Sequence, residues 1–135
     1  MQEQTLAIKS FRAEGCKLEI SKLRAGRVLV VLEGRDIGQL GQEPFRALER
    51  SLDDGGPVDL FFDLRAALGA TLEASGGWAV WLRANHQRLR RVNLLTARPV
   101  VGLSARAVVR FSQLGSKAKI YSDPAAFDSA LLNAS

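Results

Sequence analysis

The stretch Val58-Asp-Leu-Phe-Phe-Asp63, running through Leu64-Arg-Ala-Ala-Leu-Gly-Ala-Thr-Leu-Glu-Ala74 into Ser75-Gly-Gly-Trp78, decides the fold. Its first six residues are mostly apolar and aromatic, as expected of a buried strand ending in an aspartate. Residues 64–74 are rich in small side chains and read as a connection. A long helix follows, running through residue 92. Trp78, Trp81, Leu82, Leu89 and Val92 fall on its inner face, while Arg83, Arg90 and Arg91 fall away from it.

Upstream, residues 17–23 alternate polar and apolar, the mark of a strand with one buried face. Residues 24–27 make a turn. Residues 28–33 are nearly all apolar and β-branched, as for a strand covered on both faces. The two runs read as a hairpin. Residues 5–11 alternate more weakly, so residues 1–10 form an edge strand or a tail. Gly34, Gly38 and Gly41 punctuate a connection. Residues 42–52 then place Phe45, Leu48 and Leu52 at helical spacing, with Pro44 in the first turn. Asp53-Asp-Gly-Gly-Pro57 stops that helix.

Downstream, residues 93–97 are a short strand and Pro99 opens a helix. Val100, Leu103, Ala107, Phe111 and Leu114 read as its inner stripe. Arg106, Arg110 and Gln113 read as its outer one, and Gly115 closes it. Residues 118–122 are the last strand. Asp123-Pro124 starts a terminal helix with Phe127, Leu131 and Leu132 inside. Alternating β and α elements imply an α/β fold: a mixed, mostly parallel sheet of four to six strands with an N-terminal β-hairpin and about four helices. The 135 residues are expected to form one domain, 1–135.

No secretory leader is visible, and the longest charge-free apolar stretch, residues 74–82, is far short of the roughly 20 residues that cross a bilayer. A cytoplasmic protein without a transmembrane segment is expected. The lone cysteine, Cys16, can form no internal disulfide, which suits a reducing compartment. Charge is unevenly placed. Residues 1–74 carry 10 basic and 12 acidic residues, residues 75–135 carry 9 and 2, and no acid lies between Glu73 and Asp123. A one-sign field of this kind attracts an anionic partner, or simply faces water.

Catalytic inventories come up empty. One histidine, His86, and one cysteine cannot build a zinc site. The Gly-x-Ser-x-Gly elbow, the phosphate loop and the dinucleotide loop are all absent. Asp63 and Glu73 border one connection, but each has a structural role open to it: ordering the loop and complementing a helix start. No catalytic residue, no metal and no cofactor is expected, and the chain reads as a binder rather than an enzyme.

The buried strand ending in Asp63, the loop, and the small-residue Ser75-Gly76 entry to a helix resemble the STAS domain of bacterial anti-sigma-factor antagonists, in element order from about Lys17 to Leu132. In that family a serine or threonine at the helix entry, within a loop reading roughly Asp-Ser-Ser-Gly, is phosphorylated by a partner kinase that binds the unmodified form. The resemblance matches Ser75 to the phosphoacceptor, Glu73 to the acidic residue and Asp63 to the strand-end aspartate, with Ala74 in place of a hydroxyl residue. It implies a non-enzymatic regulatory module in signal transduction, binding a kinase-like anti-sigma factor or other signalling protein through residues 63–77 and the following helix. Asp63, Thr71, Glu73, Ser75, Gly76, Arg83, Arg90 and Arg106 are the candidate contact residues. Ser75 and Thr71 compete as the helix N-cap. A related group with this fold, compared with lipid-binding SEC14 domains, lacks the phosphorylation motif. Two alternatives therefore stand: a small-molecule or lipid binder using the Trp78 helix, and an electrostatic binder of nucleic acid or anionic membrane through residues 83–119. Nucleic acid is the weaker of these, for want of a recognition motif.

Overall fold

The architecture was obtained as a computed structural model, which describes residues 5–52 and 56–133. Strands β2 (Cys16–Leu23) and β3 (Arg27–Asp36) form the expected antiparallel hairpin, and β1 (Thr5–Ala13) joins β2 as an edge strand. Strands β4 (Val58–Leu64), β6 (Leu89–Thr96) and β7 (Ala118–Tyr121) continue the sheet in parallel, in the order β1-β2-β3-β4-β6-β7.

A short strand, β5 (Ala67–Ala70), pairs with Gly34, Arg35 and Asp36 at the end of β3, beyond the reach of β4. It lies inside the stretch read as a plain connection and brings the strands among the described residues to seven, one above the expected range. Ala-Leu-Gly-Ala carries neither β-branched nor aromatic residues, so only the open edge of β3 reveals it.

Alternating side chains send the two faces of the sheet to separate cores. Leu18, Ile20, Val30, Leu60, Phe62, Val92 and Leu94 meet helices α1 (Glu43–Ser51), α2 (Leu72–Ala84) and α3 (Pro99–Ser112). Phe61 and Leu95 on the reverse face meet α4 (Pro124–Asn133) through Phe127. The Phe127 ring stands edge-on to Phe61 and Tyr121, each with centroids 5.7 Å apart. Buried Arg27 locks this layer to the hairpin, its Nε donating to the Arg24 carbonyl at 2.8 Å and its guanidinium to the Leu131 carbonyl near the end of α4 at 2.6 Å. A cation suits the negative end of a helix.

Four expectations need correction. Helix α2 ends at Ala84 rather than running through residue 92. Asn85 terminates it, donating from its side-chain amide to the Trp81 carbonyl at 2.9 Å. Leu89 and Val92 are buried strand residues instead, because pairing with β4 outweighs their coincidental helical spacing. Helix α3 is rolled relative to expectation. It buries Val101, Gly102, Ala105 and Ser112 and exposes Val100, Leu103 and Phe111. Small inward residues let its backbone approach: a Cβ on Gly102 would lie 3.6 Å from the Thr96 hydroxyl. The left-handed residue that closes α3 is Gln113 (φ 60°), two positions before Gly115. In α4, Leu132 is exposed rather than inside, whereas Phe127 is fully buried. Of the proposed helix stop at residues 53–57, residues 53–55 lie outside the described part.

One glycine is required by close approach. Gly34 has φ +86°, and a Cβ there would collide with the Gly15 carbonyl oxygen, which already accepts from the Arg35 N–H at 2.9 Å. Phe127 is the single side chain on which the second layer turns. Phe127→Ala should lower unfolding free energy by about 3–5 kcal/mol in urea titration, the cost of a large buried aromatic; a loss under about 1 kcal/mol would show that α4 does not seal this face.

Candidate functional site

The N-terminal end of α2 sits where β3 and β5 finish. Thr71, not Ser75, is the N-cap: its hydroxyl accepts from the Ala74 N–H at 3.1 Å, and its own N–H donates to the Asp36 carbonyl at 2.9 Å. Ser75 lies within the helix, its N–H donating to the Thr71 carbonyl at 2.9 Å. Its half-buried side chain turns toward a cavity under the helix. Thr71, Leu72, Glu73 and Gly76 face solvent. Leu72 is 88% exposed at the start of the helix.

Asp36 organises this end of the sheet and carried no sequence signal. It is buried, accepts from the Gly38 N–H at 2.9 Å, and accepts from the Trp78 indole N–H at 3.1 Å. The Trp78 ring packs at 4.6 Å from Phe45 and 5.4 Å from Phe62. Trp78 is thus pinned between α1 and the sheet by its polar tip and its apolar body. Burial, helped by the Asp36 carboxylate, pushes the Cys16 thiol up to about 11. A thiol held protonated is a poor nucleophile.

The cavity beneath α2 is apolar, bounded by Leu32, Phe62, Trp78, Leu82, Val101 and Ala105, with Ser75 and Ser104 also reaching it. Its volume is about 70 Å³.

The other candidate residues are dispersed. Asp63 lies on the reverse face of the sheet, accepting from the Arg65 N–H at 3.1 Å and from Arg65 Nε at 3.0 Å, while the Arg65 guanidinium reaches Asp128 of α4 at 2.7 Å. These carboxylates hold Arg65 above its ordinary range, the Asp63 hydrogen bond acting most strongly. Asp63 therefore orders a loop, and Glu73, in the first turn of α2, does not meet it. Arg90 belongs to β6 and is engaged in a two-pronged pair with buried Asp59, at 3.0 and 3.1 Å. This pair raises the Arg90 pKa. At about 3.3 Å per strand residue, Asp59 is about 13 Å along β4 from Asp63, at the opposite end of the sheet. Arg83 and Arg106 are exposed on α2 and α3. Lys117 donates to the His86 carbonyl at 2.7 Å, and Lys119 stands over the Tyr121 ring. The basic half of the sequence thus becomes several separate surfaces.

His86 lies beyond the far end of α2, its Nδ1 3.0 Å from the Arg83 carbonyl. About 14 Å of helix separates Ser75 from Ala84, so His86 is no base for Ser75. Among the described residues, no three of His, Cys, Asp and Glu stand together as a metal site, and no helix is long and apolar enough to cross a membrane.

No family model and no curated protein matches the chain in sequence. Solved structures do match in fold. One is an uncharacterised protein of the DUF3478 family with a SpoIIAA-like fold from Shewanella loihica PV-4, at TM-score 0.60 and 14% identity over 97% of this chain and 96% of that one. Another is an anti-sigma factor antagonist from Mycobacterium paratuberculosis, at TM-score 0.54 and 15% identity over 94% and 96%. At these identities the likeness is one of fold: the chain has the SpoIIAA-like, STAS-like architecture.

Two outcomes follow. Thr71→Ala should cost about 1 kcal/mol of stability through the lost cap, while Ser75→Ala should change it by less than about 0.5 kcal/mol. Equal effects would contradict the assignment of the cap. Because the fold favours the protonated Cys16 thiol, its contribution is full below pH 9 and is lost as the pH rises toward about 11. Parent stability should therefore fall by about 2–3 kcal/mol relative to Cys16→Val across that range. Parallel pH profiles would contradict the burial of this thiol.

Proposed function

We propose that this STAS-like domain is a non-enzymatic regulatory module that binds a signalling protein through the N-terminal end of α2. The observation that carries the reading is the exposed Leu72 beside the capping Thr71, on a helix end held rigidly by Asp36. An exposed apolar side chain beside a capped helix start offers area that a protein partner can bury. Thr71, Glu73 and Gly76 surround it. The anti-sigma factor antagonist of like fold adds support at the level of architecture.

On this reading the regulatory hydroxyl is Thr71, exposed at the helix start, rather than half-buried Ser75. A phosphate there would sit favourably at the positive end of α2, yet would put about −1.5 to −2 charges beside the apolar anchor. Asp63, Arg90 and Arg106 have no place in this contact. Binding of a small molecule or lipid beneath the Trp78 helix is the weaker alternative, because that cavity of about 70 Å³ is well short of the roughly 300–1,000 Å³ of ordinary ligand pockets.

A photoreactive benzoylphenylalanine in place of Leu72 should yield a discrete protein adduct in the native cell, and one in place of Glu19 on β2 should not. Adding Thr71→Asp, which preserves a cap, should cut the yield about tenfold by placing a charge at the contact. No adduct at position 72, or equal adducts at both, would overturn the binding site. An unchanged yield with Thr71→Asp would overturn the regulatory role of that hydroxyl.

A further inference from the structure

The roll of α3 leaves a feature that neither the core nor the α2 end uses. Val100, Leu103, Ala107 and Phe111 recur at helical spacing along one side of α3. Structure places that side outward, with Val100 55%, Leu103 63% and Phe111 67% exposed. On neighbouring α2, Val80 is 70% exposed. Both helices cover the same face of the sheet, so their outward sides share one surface. Large apolar residues gathered on one exposed surface mark an interaction site.

Charge identifies the partner. Arg106 and Arg110 flank the stripe on α3, and Arg83 lies outward on α2. None of the three forms an ion pair with a described residue. No acidic residue occurs between Glu73 and Asp123, so the whole of α3 and most of α2 are free of negative charge. The partner must therefore be anionic and must also accept several protruding apolar side chains. A second copy of this chain fails the first condition, since a two-fold contact would set arginines against arginines. Nucleic acid fails the second, offering phosphates but little that accepts Val100 and Leu103. An anionic bilayer meets both. Its interface receives apolar side chains without a matched pocket, and its phosphates suit arginine forks.

We propose that the outward faces of α2 and α3 form a docking surface for an anionic phospholipid membrane, with Val80, Val100, Leu103 and Phe111 inserting and Arg83, Arg106 and Arg110 contacting headgroups. This places the module on a membrane surface without spanning it. The docking surface lies along α3 and the Val80–Arg83 end of α2, about 12 Å along the helix from the Thr71–Leu72 contact, and each can fail without the other.

Vesicle co-sedimentation of the full chain tests the proposal. Vesicles of phosphatidylcholine mixed with phosphatidylglycerol should bind the chain, and phosphatidylcholine alone should not. Arg106→Glu combined with Arg110→Glu should weaken binding at least about tenfold, each arginine near an anionic surface being worth roughly fivefold. Leu103→Ser combined with Phe111→Ser should weaken it by a similar factor. Both pairs change exposed positions only, and circular dichroism of each variant checks the fold. Lys9→Glu with Arg12→Glu, on β1, should leave binding within about twofold, separating the surface from net charge alone. Absence of binding, equal binding to both vesicle types, or equal loss from the β1 variant would overturn the proposal. So would a dimer in analytical ultracentrifugation that Phe111→Ser dissociates, which would assign the face to self-association.

Discussion

Strand β4 must be kept from water on both faces. Leu60 and Phe62 point to one side and Phe61 to the other, and all three are essentially inaccessible. A strand of this kind is stable only between two layers. Parallel pairing with β3 and β6 on either flank demands long crossovers, and α1 and α2 supply them. The first face receives three helices. The second receives one, α4, anchored by Phe127 and tied back by Arg27. The lopsided sandwich follows from that arrangement, and so does the placement of α2 at the strand ends.

Much of this was legible in the chain. The alternation of residues 17–23, the apolar runs at 28–33 and 58–63, and the proline-led helices after Pro44, Pro99 and Pro124 all state local preferences that the tertiary structure keeps. Where the two conflicted, packing won. Leu89 and Val92 continue the helical period of Trp78 and Trp81 by chance, and the open edge of β4 recruits them into a strand. In α3 two faces are apolar, and hydrophobicity alone favours the bulkier one. Close packing on the sheet selects the face of small residues instead, Val101, Gly102 and Ala105.

The candidate site was legible in part. The segment around residues 71–76 stood out through its resemblance to the STAS helix entry, and the structure gathers Thr71, Glu73, Ser75 and Gly76 on one helix end. Thr71 and Ser75 are equally plausible caps by residue type, and only the Ala74 N–H donating to the Thr71 hydroxyl distinguishes them. Asp36 was invisible because its importance lies in the Trp78 indole, 42 positions away. The arginines looked like one cluster because sequence order hides the sheet. Asp59 engages the exposed Arg90 in an ion pair on β6, and Arg83, Arg106 and Arg110 lie exposed on the neighbouring helices α2 and α3.

The orientation of α3 connects the fold to the surfaces read from it. Thiol labelling of single-cysteine variants measures it directly, in a Cys16→Val background. Leu103→Cys and Phe111→Cys should react at nearly the rate of an unfolded control, whereas Val101→Cys and Ala105→Cys should react at least about a hundredfold more slowly, as buried thiols do. Fast labelling at positions 101 and 105 with protection at 103 and 111 would contradict the orientation and remove the outward apolar stripe.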